Sequence, residues 1–259
     1  MKKILFLGNS HIGALRKADQ LHSLSSRFSC SSSFIGIPGR GGFYRLSLDG
    51  EYLVTLKAYK RFMDIDEHAY SDQSPNLIRL SYFDRIVFVA GLCRLDSRLY
   101  YPPSSSHVPL LSKSVIESIV LQDSVEDSRL QHELPPLFWR IMALGRPDVV
   151  FLGAPLVSAD ARIFTDLACD SRDNVRKNSE CIRTVCSQTL NDNGRPLMLL
   201  PSPELLDDLG LCTKASYFVD SLNWAGDAKK AFKQERDMSH ANATYGKMIL
   251  EQTVYPSLI

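Results

Sequence analysis

The amino-acid sequence predicts a doubly wound α/β domain, a parallel sheet with helices on both faces, and three features predict it. Short apolar runs recur along the chain without polar alternation, as strands covered on both faces require. Helical stretches separate these runs, which is what parallel neighbours need for their crossovers. At 259 residues, with 44% hydrophobic and 23% charged content, the chain can bury one large core, so a single domain spanning 1–259 is expected.

The first run, Lys3-Ile4-Leu5-Phe6-Leu7, stops at Gly8, and a helical rhythm starts at once with Ile12, Leu15, Ala18, Leu21 and Leu24. Asn9 and Ser10 therefore fall on a strand-to-helix turn. A hydroxyl there stands at the carboxyl edge of a parallel sheet, where the helix N–H groups and dipole favour negative charge. Two readings of Ser10 stay open: a helix N-cap, the common use of such a serine, and a nucleophile.

A Ser-rich segment from Ser23 to Ser33 leads into a short second strand, Phe34-Ile35-Gly36-Ile37, which ends in Pro38-Gly39-Arg40-Gly41-Gly42. Such glycines mark a sharp turn or a close approach, and equally a plain flexible loop. No G-x-G-x-x-G opens a helix here, which excludes a dinucleotide site. Leu46 to Val54 alternates around Asp49-Gly50 and predicts a small β-hairpin excursion beside the main sheet. Residues 56–83 are mixed and polar, with a helix expected over Leu56 to Met63.

The third strand, Asp84 to Gly91, is apolar at its centre and runs into Leu92-Cys93-Arg94, followed by a turn-rich loop from Tyr100 to Ser106. Helices are expected at Lys113 to Leu121 and Pro136 to Leu144, and a fourth strand at Pro147 to Gly153. A polar helix over Asp173 to Leu190 closes at Asn193-Gly194, and the fifth strand is Pro196 to Leu200. Asp237-Met238-Ser239-His240 then precede a last helix carrying Ala241, Tyr245, Met248 and Ile249. No internal repeat appears.

Composition narrows the function. A net charge of +1 does not mark a nucleic-acid binder. The apolar run after Met1-Lys2-Lys3 is too short for a secretory signal, and no stretch of about 18 apolar residues occurs, so no membrane span is expected. Six cysteines without a C-x-x-C pair suit reduced thiols in a cytoplasmic setting. No His/Asp/Glu group has metal-ligand spacing, so neither a metal nor another cofactor is expected. His22, His68, His107 and His132 are isolated and read as solvated.

Acyl transfer by serine needs a base within hydrogen-bond reach and a carboxylate that fixes the base's tautomer. Asp237 and His240, three positions apart, offer both, whereas His11 follows Ser10 directly, points about 100° away and is a poor base for its neighbour. Gly8-Asn9-Ser10-His11 after the first strand, the glycine-bearing loop after the second, and Asp237-x-x-His240-Ala241-Asn242 with Tyr245-Gly246 near the end together resemble the SGNH (GDSL-type) hydrolase superfamily. Only about twenty residues carry the likeness.

The resemblance implies a three-layer, flavodoxin-like arrangement around a five-stranded parallel sheet. It also implies Ser10 as nucleophile, His240 as general base and Asp237 as its orienting carboxylate. The oxyanion hole would use the backbone N–H groups of Ser10 and Gly41, with Gly39 and Gly42 as alternatives. Asn9, His11, Cys93 and Arg94 are the candidate substrate-binding residues, with Tyr100 and Tyr101 near the same cleft. The chain departs from the family at Gly91-Leu92-Cys93, where members commonly have Gly-x-Asn with the asparagine amide as a further oxyanion donor. A thiol is a weak donor, so two backbone groups act alone, Arg94 or Asn9 contributes, or activity is lost. The expected substrate is a small-molecule or carbohydrate O-acyl ester, acetylated sugars being one candidate. Acyl transfer to a sugar hydroxyl and a catalytically silent carbohydrate-binding role remain open.

Overall fold

The computed structural model describes residues 1–8, 11–37, 46–90, 109–118, 136–145, 148–153, 169–189, 191–192, 195–196, 198–208, 213–219 and 241–258. In chain order the strands are β1 (Lys2–Gly8), β2 (Cys30–Gly36), β3 (Ser47–Asp49), β4 (Tyr52–Val54), β5 (Met63–Asp64), β6 (Tyr70–Ser71), β7 (Ser74–Arg79), β8 (Arg85–Ala90), β9 (Asp148–Gly153), β10 (Asn191–Asp192), β11 (Arg195–Pro196) and β12 (Met198–Leu199). Among the described residues the α-helices with defined bounds are α1 (Ile12–His22), α2 (Leu24–Arg27), α3 (Pro136–Met142), α4 (Cys169–Thr189) and α5 (Ala243–Ile249), and residues 113–118 are helical as well.

The result is a mixed α/β architecture. Its main sheet has the order β12-β9-β8-β1-β2-β5, parallel except for the edge strand β5. Strand β1 sits inside it, with Phe6 opposite Phe34 of β2 and Val87 of β8. Ile4, Leu5, Phe6 and Leu7 are all fully buried, which is why this run does not alternate. Fully burying one such side chain is worth roughly 1.5–3 kcal/mol, so the central strands anchor the core. Phe6 stacks on Phe34 at 4.9 Å, and Phe138 of α3 meets Phe88 edge-on at 5.1 Å. One buried cluster joins these strands to α1, α3 and α5.

Several expectations need correction. The hairpin β3/β4, turning at Gly50 with φ of 56°, is no isolated excursion: β7 and β6 extend it into a four-stranded antiparallel sheet, order β3-β4-β7-β6. Leu53 and Ile78 pair across it and are fully buried, so tertiary packing holds strands that the polar sequence of 56–83 conceals. Instead of the helix expected over Leu56 to Met63, a 3-10 helix at Lys57–Phe62 runs into β5, which pairs antiparallel with β2. The main sheet therefore keeps the five parallel strands expected and gains β5 as a sixth, antiparallel edge strand. Strand β2 begins at Cys30, within the Ser-rich segment, and the expected fifth strand is divided between β11 and β12.

Helix α1 buries Ile12, Ala14, Leu15 and Ala18, but its rhythm breaks at Ser23, which is left-handed with φ of 49°. Leu24 is thereby turned inward on α2 while Leu21 stays 57% exposed. Along the amino edge of the sheet the chain's end is clamped. Arg85 Nε donates to Asp148 Oδ2 at 2.8 Å, and its Nη1 donates to the carbonyl and hydroxyl of Ser257. The Lys2 ammonium donates to the Leu258 carbonyl. The Tyr255 hydroxyl donates to Asp19 at 3.1 Å and lies 3.0 Å from Ser32 Oγ; burial, then Asp19, push its pKa up. These contacts fix the chain's end along the amino edge. Among the described residues no helix is long and apolar enough to cross a membrane.

Candidate active site

Because β1, β2, β8, β9 and β12 run parallel, the chain leaves the main sheet at one edge after Gly8, Gly36, Ala90, Gly153 and Leu199. Gly8 pairs with Gly36 on one side and Val89 on the other, and the Ile37 N–H extends the ladder to the Gly8 carbonyl at 2.8 Å. A Cβ at position 8 would stand 2.2 Å from the Val89 carbonyl oxygen and 2.8 Å from Ile12 Cδ1. Glycine is required there because the strand end, its neighbour and the first turn of α1 converge with no room for a side chain.

Helix α1 starts at Ile12, as its apolar rhythm predicts, with half-buried His11 at the N-cap position making no side-chain cap bond. The helix end points its first N–H groups toward the carboxyl edge. Asn9, Ser10, Gly39, Gly41, Gly42, Cys93, Arg94, Tyr100, Tyr101, Asp237 and His240 lie outside the described residues. The described residues next to them are Gly8 and His11, Ile37, Ala90 and Ala241. His11 is the candidate whose own position is described.

The entry to the last helix is fixed by unusually many contacts. Asn242 is the N-cap of α5: its Oδ1 accepts from the Tyr245 N–H at 3.0 Å. Its Nδ2 also donates to the carbonyls of Ser216 at 3.1 Å and Val219 at 2.9 Å, and its main-chain N–H donates to the Tyr217 carbonyl at 2.7 Å. Buried Tyr245 presents its ring to Tyr217 at 5.8 Å. On the other side Gly246 packs against α1, where a Cβ would meet the Ala14 carbonyl oxygen at 2.2 Å. Helix α5 thus crosses the first turn of α1. An asparagine before a helix signals a cap in the sequence, but the tether of Asn242 is not legible there, because its partners at 216 and 219 are remote in sequence.

Other titratable groups cluster away from this edge. The Tyr82 hydroxyl donates to Asp66 Oδ2 at 2.6 Å, and the His68 N–H donates to Asp66 Oδ1 at 3.0 Å. With Tyr82 as the leading cause, the Asp66 carboxyl is held down at about 2. Desolvation and then Asp66 push the Tyr82 hydroxyl up to about 12. Tyr82 lies just before β8 begins, with the Lys3 ammonium 3.7 Å from its ring centre, so this cluster belongs to the amino edge. Burial, then Asp19, raise the Cys30 thiol to about 11, which makes it a poor nucleophile. Among the described residues no group of three or more His, Cys, Asp or Glu could hold a metal ion.

The fold therefore establishes an α/β protein with a mostly parallel sheet and an added antiparallel one. Neither a scan against family models nor searches of curated proteins and of solved structures find a match.

Proposed function

We propose that this chain is a serine hydrolase of the SGNH type on a three-layer, flavodoxin-like scaffold, cleaving an O-acyl ester of a small molecule or carbohydrate. The observation that carries the reading is the seat of Gly246 on Ala14. It joins the helix entered from His240 to the helix entered from Ser10. With about 1.5 Å per helical residue and at most about 3.6 Å per extended one, chain length keeps each of these residues within about 15 Å of that crossing. Two helices more than 200 residues apart in sequence, α1 and α5, are thereby packed together, and in this reading each follows one of the two motifs.

In this reading Ser10 Oγ attacks the ester carbonyl while His240 Nε2 takes its proton and Asp237 holds the other ring nitrogen. The N–H groups of Ser10 and Gly41 stabilise the oxyanion, helped by the amino end of α1. Collapse expels the alcohol, which takes the proton from His240 and leaves an acyl-serine. Water, deprotonated by His240, then attacks the acyl carbon and releases the acid and free Ser10. Asn9, His11, Cys93 and Arg94 flank the substrate. No step needs a cofactor. The free thiols of Cys30 and Cys181 support a reducing, cytoplasmic workplace.

A fluorophosphonate probe tests the proposal. Ser10 is labelled at neutral pH, and Ser10→Ala abolishes the label. Absence of labelling in the wild type overturns the hydrolase reading in favour of a silent binding protein. Product analysis with and without a sugar acceptor separates hydrolysis from acyl transfer.

A further inference from the structure

We infer that Asn242 is a positioning residue for the general base, an inference that rests on the hydrolase reading above. A helix cap alone needs one acceptor, which serine, threonine, aspartate and asparagine all supply. Asn242 spends its Oδ1 on that task, accepting from the Tyr245 N–H. Its amide then does something a cap does not require, donating to the carbonyls of Ser216 and Val219, 26 and 23 residues earlier. With its main-chain N–H on the Tyr217 carbonyl, one residue binds three carbonyls of a single short turn.

That turn is itself immobilised. It is a 3-10 helix, Ala215–Phe218, with Val219 as its C-cap, Phe218 buried and the Tyr217 ring against Tyr245. On its other flank the same helix entry is held by Gly246 on the α1 backbone. The backbone at 242 is thus fixed from both sides, and buried Ala241 alone separates it from His240. A base must keep Nε2 within hydrogen-bond reach of the nucleophile, and a misplacement of about 1 Å costs about 100-fold in rate. Asparagine is the residue that combines the cap acceptor with two donors in one planar group.

Two variants separate the tether from the cap. Asn242→Ser and Asn242→Asp both keep a cap acceptor and both lose the amide donors. The thermal midpoint, the rate of Ser10 labelling by a fluorophosphonate, and kcat and KM on p-nitrophenyl acetate are measured for each. The midpoint stays within about 8 °C of wild type, since cap and core remain. The labelling rate and kcat fall at least about tenfold while KM stays within about twofold. A folded variant with wild-type kcat overturns the inference and leaves the hydrolase reading standing, and loss of the fold in both variants also overturns it by making Asn242 a purely structural clamp. Failure of wild-type Ser10 to label overturns the hydrolase reading, and the inference falls with it.

Discussion

Gly246 lies so close to Ala14 that a methyl group at position 246 would stand 2.2 Å from the Ala14 carbonyl oxygen and 2.5 Å from its carbon. The obstacle is helix backbone, which cannot rotate away as a side-chain tip could. Gly246→Ala must therefore push α5 off α1, at a cost of about 3 kcal/mol by the usual scale of overpacking. Gly50 provides the control: its φ is 56° and an added Cβ meets nothing within 4 Å, so Gly50→Ala costs only about 1 kcal/mol of backbone strain. Urea unfolding of the two variants checks the order. Equal costs would mean that the helix crossing is not tight.

Much of this fold is legible because its central strands are covered on both faces. Ile86 to Val89 and Val149 to Leu152 read as strands without any alternation, and Asp49-Gly50 announces its turn through the one residue that takes positive φ readily. Strand β2 hides its first half in serines, which belong in a strand only because distant partners satisfy them. Ser33 Oγ accepts from the Asp66 N–H 33 residues on, and Ser32 meets Tyr255 223 residues on. Strands β5 to β7 are short and polar, and pairing rather than local preference creates them. Near the site, the strand end at Gly8 and the helix start at Ile12 could be read from the change of periodicity between them. The reason for Gly246 could not, because a glycine inside a helix pattern reads as a weakness until the α1 backbone beside it is known.

Acid stability follows from Asp66. Its carboxyl is held at about 2, below the ordinary 3.8, first by the Tyr82 hydroxyl and then by the His68 N–H. A carboxyl with a depressed folded-state pKa contributes stability above its unfolded pKa and loses it as pH falls through the folded value. The window is therefore from about 4 down to about 2. Asp66 is 30% exposed, so solvent screening reduces the contribution to about 1–2 kcal/mol. Asp66→Asn lowers the thermal midpoint at pH 8, and the gap to wild type narrows across that window. A gap independent of pH would show that the carboxylate charge plays no part.

The base assignment makes a separate claim about three side chains. On the proposed mechanism His240→Ala removes the proton acceptor and Asp237→Asn leaves the imidazole in the wrong tautomer, so each is expected to lower kcat about 10³–10⁴-fold. His11 occupies the N-cap position of α1, and because consecutive residues at a helix start point about 100° apart, His11→Ala is expected to stay within about tenfold. Steady-state kinetics on an activated ester rank the three. If His11→Ala is the most damaging change, the segment before α5 is a structural helix entry and the base lies elsewhere.

The last prediction concerns position 93, three residues beyond the end of β8. The resemblance leads one to expect an asparagine amide there as an oxyanion donor, and this chain has Cys93. Losing one such donor typically costs about 2.7–4 kcal/mol in the barrier, so on the proposed hydrolase reading hydrolysis of p-nitrophenyl acetate is expected to be slow but measurable. The proposed oxyanion donors, the N–H groups of Ser10 and Gly41 with the amino end of α1, need no side chain at 93. Arg94→Ala lowers kcat further if the guanidinium has taken over the missing donation, and KM alone if it only binds substrate. Cys93→Asn places an amide where the thiol stands, a much better hydrogen-bond donor to an oxyanion. It therefore raises kcat by about tenfold or more while leaving KM near wild type, because the new bond is made to the transition state and not to the ester. A Cys93→Asn enzyme that folds normally and is no faster would show that position 93 does not face the developing oxyanion, and that the hole is built from backbone groups alone.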